Sequence, residues 1–166
     1  CVCAYRLAEQ GHDVVLVEKG RGVGGRMSTR RMAGARIDHG AQFFTVRDSR
    51  MKDLLRKWQS MDAVTPWYDS IAGREDIPKS IRYRGINGMT APAKALAKSF
   101  SFQKEFFVDS IFFDEEWQIN EKGGGNRKLF ADHLVLTLPV PQMLELFQRS
   151  QFELESKVMD QLEAVR

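Results

Sequence analysis

The chain opens on a short apolar stripe. Ala4, Leu7 and Ala8 share one face between Cys3 and Gln10, and Gly11 ends the pattern, which predicts the back half of a helix with a glycine cap. Asp13-Val14-Val15-Leu16-Val17-Glu18 follows. Four consecutive aliphatic positions predict a strand buried on both faces, the parallel-sheet type, with Glu18 at its carboxyl end. A glycine-rich loop runs from Gly20 to Arg26, and a short extended segment from Ala35 to Asp38. Beyond Asp48, a natural helix cap, Met51, Leu54, Leu55 and Trp58 recur at i, i+3, i+4 and i+7, so an amphipathic helix is expected. From Asp62 to Arg84 the pattern is irregular, with short strands predicted at Val64 to Trp67 and Ile81 to Arg84. Gly85 and Gly88 bracket a turn, and Thr90 with Pro92 opens a small alanine-rich helix ending near Lys98.

The second half changes period. Glu105 to Val108, Ser110 to Phe113, Trp117 to Asn120 and Arg127 to Phe130 read as a β-meander, with turns at Asp114 to Glu116 and Gly123 to Asn126. His133 to Leu138 predicts a second fully buried strand, ended by Pro139 and Pro141. Helices are expected at Pro141 to Gln148 and at Glu153 to Ala164, the latter with Leu154, Val158 and Leu162 on one face. No internal repeat or low-complexity tract is present.

Composition narrows the class. Of 166 residues, 43% are hydrophobic and 28% charged, the balance of a globular protein with a real core. The net charge of +3 is too mild to argue for nucleic acid, although Arg21, Arg26, Arg30, Arg31 and Arg36 crowd one stretch. Cys1 and Cys3 are too close to staple a fold and too few for a zinc site, so a reduced, cytoplasmic setting with no metal is the expectation. No run approaches the ~20 apolar residues of a membrane span, and no signal peptide pattern is present. The chain begins without Met, inside a helix, which is read either as residues missing before Cys1 or as a deliberately cut fragment.

Two units carry candidate chemistry. In a dinucleotide-binding βαβ unit an acidic residue at the end of the second strand accepts hydrogen bonds from ribose hydroxyls, and Glu18 stands at such a position. Gly24-Gly25-Arg26 follows: two glycines let a backbone approach a ligand, and an arginine beside them can neutralise a pyrophosphate with directed donors. Taken singly, each has a plain alternative, a solvated Glu or a flexible loop with a surface arginine. His39 is set aside as a hydrogen-bonded loop histidine, and His12 and His133 as structural or exposed. Trp58 is assigned to the core, Glu115 and Glu116 to a solvated turn, and Trp67 is kept as a weak substrate-side candidate. No catalytic side chain is assigned.

The order helix, Gly11, strand, Glu18, Lys19, spacer, Gly24-Gly25-Arg26 resembles the amino-terminal fingerprint of flavoprotein amine oxidases, the glutathione-reductase-like FAD fold. Within that group Arg36 to Phe44 (RIDHGAQFF), Tyr83-Arg84-Gly85 to Gly88-Met89, and Pro139-Val140-Pro141 resemble the renalase-like flavoproteins. The resemblance runs over essentially the whole chain and over part of the family's length. It implies an α/β, Rossmann-type FAD-binding sheet, incomplete here, with a three- to four-stranded meander and an inserted substrate-side segment. The expected division is a partial cofactor unit and pyrophosphate loop at 1–44, a substrate-side insertion at 45–100, and the meander with return to the sheet at 101–166.

The resemblance also implies roles. Glu18 holds the adenosine ribose with Lys19 beside it; Gly25 and Arg26 contact the pyrophosphate. Gln42 and Phe43 line the isoalloxazine ring, Val108 meets adenine through its backbone, and Thr137 and Pro139 sit near the cofactor. The implied activity is an FAD-dependent oxidoreductase taking a hydride from an amine or a dihydronicotinamide and passing electrons to O2, with a small-molecule substrate and no nucleic-acid or membrane partner. Because the family's glycine-rich turn lies upstream of Cys1 and its last segment beyond Arg166, residues 1–166 alone are expected to bind FAD poorly or not at all and to be inactive. The rival readings are an NAD-dependent dehydrogenase sharing the ribose-binding Glu, a non-catalytic α/β or nucleic-acid-binding fragment using the arginines, and a scaffold that holds flavin without the substrate half.

Overall fold

The computed structural model describes residues 1–123 and 127–165. The chain forms two compact units, Cys1–Lys104 and Glu105–Arg166. The first runs α1 (Val2–Glu9), β1 (Val15–Val17), the hairpin β2 (Thr29–Met32) and β3 (Ala35–Asp38), then β4 (Phe44–Thr45), α2 (Ser49–Ser60), β5 (Val64–Tyr68), β6 (Arg82–Gly85), α3 (Ala91–Leu96) and β7 (Ser101–Gln103). Gly11 ends the first helical segment at φ +89°, a conformation a side chain would disfavour. Strands β1 and β7 pair in parallel, Val15 opposite Ser101 and Val17 opposite Gln103, and the Glu18 N–H extends the ladder to the Gln103 carbonyl at 2.9 Å.

The core of this unit follows from the apolar stripe of α2. Leu54, Leu55 and Trp58 pack with Tyr5, Ala63, Val64, Ala95 and Leu96. The Asp48 side chain accepts the Arg50 N–H at 2.8 Å, supplying the cap the sequence predicts. Trp58 is buried, as expected of a core residue, and its indole N–H donates to the Pro92 carbonyl at 3.1 Å. Strands β4, β6 and β5 form an antiparallel sheet in that order. The predicted strand Asp13 to Glu18 needs correction on burial: β1 has one neighbour, β7, among the described residues, and Val15 is 46% exposed.

The second unit contains β8 (Val108–Asp114), β9 (Glu116–Glu121), β10 (Lys128–Ala131), α4 (Val140–Ser150) and α5 (Ser156–Glu163). The three strands form an antiparallel meander with β9 central, and Ile111 lies opposite Ile119, both buried. Helix α4 covers β8: the Ile111 N–H donates to Ser150 Oγ at 2.9 Å, and Trp117, Phe147 and Phe152 form a ring cluster with Leu146 buried nearby in sequence. The turn between β8 and β9 places Glu115 at φ +64°, where the sequence expected one, and both Glu115 and Glu116 are exposed. Of the turn expected at Gly123 to Asn126, residues 124–126 lie outside the described residues.

Three expectations fail in this unit. The run Glu105 to Val108 is not a strand: Glu105 is left-handed at φ +53°, Phe106 is turned inward, and the Arg127 guanidinium covers its ring while donating to the Glu105 carbonyl at 2.7 Å. His133 to Leu138 is not a buried strand. Leu134 and Leu136 are half-buried while Val135 is 57% exposed, and no neighbouring strand pairs with the segment among the described residues. Extended backbone without a ladder is not a strand, however apolar its sequence. Leu154 lies before α5, and Val158 is 40% exposed, so the expected apolar face of that helix covers little. Among the described residues no helix is long and apolar enough to cross a membrane. The α/β class stands: a helix with a parallel strand pair in one unit, a three-stranded meander in the other.

Candidate functional site

The glycine-rich loop and the segment after β3 meet in one groove. Residues 25–27 form a single 3-10 turn that follows Gly24, whose backbone has φ +130°. The Arg26 carbonyl accepts the Ala41 N–H at 2.9 Å. This contact requires a glycine at position 40: a Cβ there would lie 2.0 Å from the Arg26 carbonyl oxygen. The groove that results has a volume of about 620 Å³ and is lined by Gly25, Arg26, Ser28, His39, Gly40 and Ala41. Two motifs a dozen residues apart therefore share one wall.

A polar lattice fixes this geometry from behind. Asp38 Oδ1 accepts the Thr29 hydroxyl and the Met89 N–H, the latter at 2.9 Å. Thr29 and Thr90 bond reciprocally, each N–H donating to the other's hydroxyl oxygen at 3.2 and 3.1 Å. Cβ atoms on Gly24 or Gly88 would strike Thr90 or Thr29 at 2.5 Å, so the glycines let the turn at 85–90 pack under the loop. Met89 is fully buried there. The run from Tyr83 to Met89, part of the resemblance in sequence, has this buttress as its structural reason.

Of the arginines crowded into this stretch, Arg26 lines the groove. Arg21, Arg26, Arg30, Arg31 and Arg36 are exposed, and none has a carboxylate within ion-pair distance among the described residues; Arg36 instead donates to the Asn87 side chain. Ser28 Oγ and His39 Nε2 are 3.0 Å apart on the groove wall. Sequence reading gave neither a role in the site. The signal that could have found them is their position, two residues after Arg26 and directly before Gly40.

The other expected site residues lie in several places. Glu18, half-buried at the end of β1, accepts the Gly20 N–H through Oε1 at 2.8 Å, which holds the carboxylate at the strand end; its other oxygen makes no hydrogen bond among the described residues. Lys19 is exposed beside it. Neither lines the groove. Gln42 and Phe43 continue from Ala41 into β4, and the Phe43 ring sits edge-on to Tyr68 with centroids 5.9 Å apart. Trp67 is exposed and meets Tyr68 edge-on at 4.9 Å. Val108, Thr137 and Pro139 belong to the second unit. Val108 opens the edge strand β8 opposite Glu121, Thr137 is exposed on the unpaired extended segment, and Pro139 caps α4.

A helix, a glycine, a parallel strand ending in a carboxylate, and a glycine-arginine loop that forms one wall of a groove are the parts from which dinucleotide sites of α/β proteins are assembled. Residues 1–58, which contain all of these parts, match the family model described as NAD(P)-binding Rossmann-like domain, so this segment is similar to a Rossmann-like, dinucleotide-binding element.

Proposed function

We propose that the protein is an FAD-dependent oxidoreductase of the amine oxidase group, renalase-like, in which the groove at Arg26 receives the cofactor's pyrophosphate. The observation that carries the reading is the meeting of Gly25-Arg26 with His39-Gly40-Ala41, possible only because position 40 lacks a side chain. The groove fits such a group on chemical grounds: glycine backbone for close approach, a guanidinium with no carboxylate partner among the described residues, and hydroxyl and imidazole groups on the wall.

In this reading Arg26 neutralises the diphosphate, Gly25 lets the backbone approach it, and the free oxygen of Glu18 accepts ribose hydroxyls with Lys19 alongside. Gln42 and Phe43 line the flavin ring, Val108 receives adenine, and Thr137 and Pro139 lie near the cofactor. Residues 1–44 form the cofactor unit, 45–100 the substrate-side insertion, and 101–166 the meander and return. When bound, the flavin supplies the hydride-accepting centre and its reoxidation by O2. The chain's own residues then bind, orient the substrate carbon and exclude water, and no protein acid is required at that carbon. The substrate is an amine or a dihydronicotinamide. The match of residues 1–58 to an NAD(P)-binding Rossmann-like domain favours a second reading, an NAD(P)-dependent dehydrogenase using the same Glu18 and loop.

The test is the absorption spectrum of the protein expressed from its full coding frame, followed by identification of the released cofactor. Bound FAD is expected, lost in Arg26→Ala and weakened in Glu18→Gln. A colourless protein that binds NAD(P), or an Arg26→Ala variant that keeps its flavin, refutes the reading. Salt-sensitive binding of nucleic acid without any dinucleotide would point instead to the exposed arginines acting as a phosphate-backbone surface.

A further inference from the structure

Arg82 is the one buried arginine among the described residues, at 6% exposure, and it has no carboxylate partner there. Its Nη1 donates to the Asp69 and Ser80 carbonyls at 3.1 and 3.2 Å, which ties off the loop 69–81. Its Nε is buried with no partner, and its Nη2 makes no hydrogen bond among the described residues. The unused groups form one edge of the guanidinium. Arg50, Arg74 and Arg127 each use this same Nε–Nη2 edge to grip a carboxylate side-on, from Asp48, Asp76 and Glu121 respectively. All three are far more exposed than Arg82, so the protein gives this edge a carboxylate at the surface and gives it no protein acceptor at Arg82, where the Nε–H is closed to water.

The surroundings specify what the edge would receive. The Tyr68 and Phe43 ring centroids lie 5.0 and 5.7 Å from the guanidinium carbon, cation–π contacts that partly offset its desolvation but supply no acceptor. Phe43 is 39% exposed, Trp67 beyond Tyr68 is 48% exposed, and the Arg84 guanidinium lies 5.8 Å from the Trp67 ring centre. A fork with its Nε–H desolvated and its Nη2 without a protein acceptor among the described residues, a partly open aromatic wall and a second cation suit one class of ligand. We propose that Arg82, Phe43, Tyr68 and Trp67 form a subsite for a planar aromatic carboxylate, with the carboxylate on the Nε–Nη2 edge and the ring against Phe43 and Trp67. The subsite rests on the β4–β6–β5 sheet and the adjoining Phe43, the residue the proposed function places beside the flavin ring, while Arg82, Tyr68 and Trp67 have no part in the groove at Arg26.

The experiment titrates the protein with benzoate, benzamide, acetate and inorganic phosphate, reading tryptophan fluorescence and the Arg82 Nε–H resonance by NMR. Benzoate is expected to bind with a fluorescence change that is absent in Trp67→Phe, and to shift the Nε–H resonance. Benzamide, acetate and phosphate should each bind at least about tenfold more weakly, because each lacks the charge, the ring or both the ring and the planar fork. Arg82→Met should lower benzoate affinity by about tenfold or more and leave benzamide unchanged. Equal binding of benzoate and benzamide, tighter binding of phosphate, or undiminished benzoate affinity in a folded Arg82→Met overturns the proposal. If Arg82→Met does not fold, the wild-type resonance decides: an Nε–H signal unmoved by benzoate overturns it. Arg26→Ala should retain benzoate binding, so loss of the nucleotide groove and loss of this subsite read separately.

Discussion

Gly40→Ala tests the contact that builds the groove. The new methyl carbon would lie 2.0 Å from the Arg26 carbonyl oxygen and 2.9 Å from the carbonyl carbon, where ordinary contacts begin at 3.4 Å. The neighbour is backbone, not the end of a flexible side chain, so the two segments must separate by more than an ångström. That movement breaks the 2.9 Å bond from the Ala41 N–H to the same carbonyl. Overpacking of this kind costs about 1–3 kcal/mol, and the lost hydrogen bond about 1 kcal/mol more, so destabilisation of about 2–4 kcal/mol is expected. For a chain of this size that corresponds to a melting temperature lower by roughly 4–16 °C. Two alanine variants calibrate the measurement. A Cβ at Gly22 would have nothing within 4 Å and the residue has no positive φ, so its replacement should shift stability by less than about 0.5 kcal/mol. Gly25 has open space but φ +48°, so its replacement should cost about 1 kcal/mol, from backbone strain alone. Thermal and urea unfolding of the three variants, with dinucleotide affinity measured on each, gives the ranking. A Gly40→Ala protein as stable as Gly22→Ala, with undiminished dinucleotide affinity, would refute the close-approach argument.

Asp38→Ala leaves the Thr29 hydroxyl and the Met89 N–H without their shared acceptor, and should cost about 3 kcal/mol in urea unfolding and loosen the groove. Leu54→Ala, at a site 2% exposed in the core beneath α2, should cost about 2–5 kcal/mol without altering the affinity of the groove for its ligand, which a parallel binding titration would check. Hydrogen bonds from Arg50, Arg74 and Arg127 hold the Asp48, Asp76 and Glu121 carboxyls below the ordinary carboxylate range. Their contribution to stability is therefore complete above that range and is lost as pH falls through the depressed values. Urea midpoints followed from about pH 5 down to about pH 2 should decline, and the triple variant Asp48→Asn, Asp76→Asn, Glu121→Gln should show a shallower decline; an unchanged slope would show that these pairs contribute nothing.

What the sequence determined by itself was whatever depends on neighbours a few positions away. The stripe of Met51, Leu54, Leu55 and Trp58 and the Asp48 cap define α2 because helical faces and caps are local, and Gly11, Val64 to Trp67 and Ile81 to Arg84 are legible for the same reason. The candidate site was legible as two separate motifs. Their convergence was not, because it depends on a backbone contact between positions 26 and 40 and on a buttress from Asp38, Thr29 and Thr90 that spans some sixty residues. Tertiary structure also decided burial. An aliphatic run states that a segment can be buried, while the number of strands beside it states whether it is, which is why Val15 and the segment His133 to Leu138 read as core strands and are not. The same rule leaves Arg82 with an unmet Nε–H: its charge is written in the sequence, but only the tertiary structure around it removes the water that would have met that group.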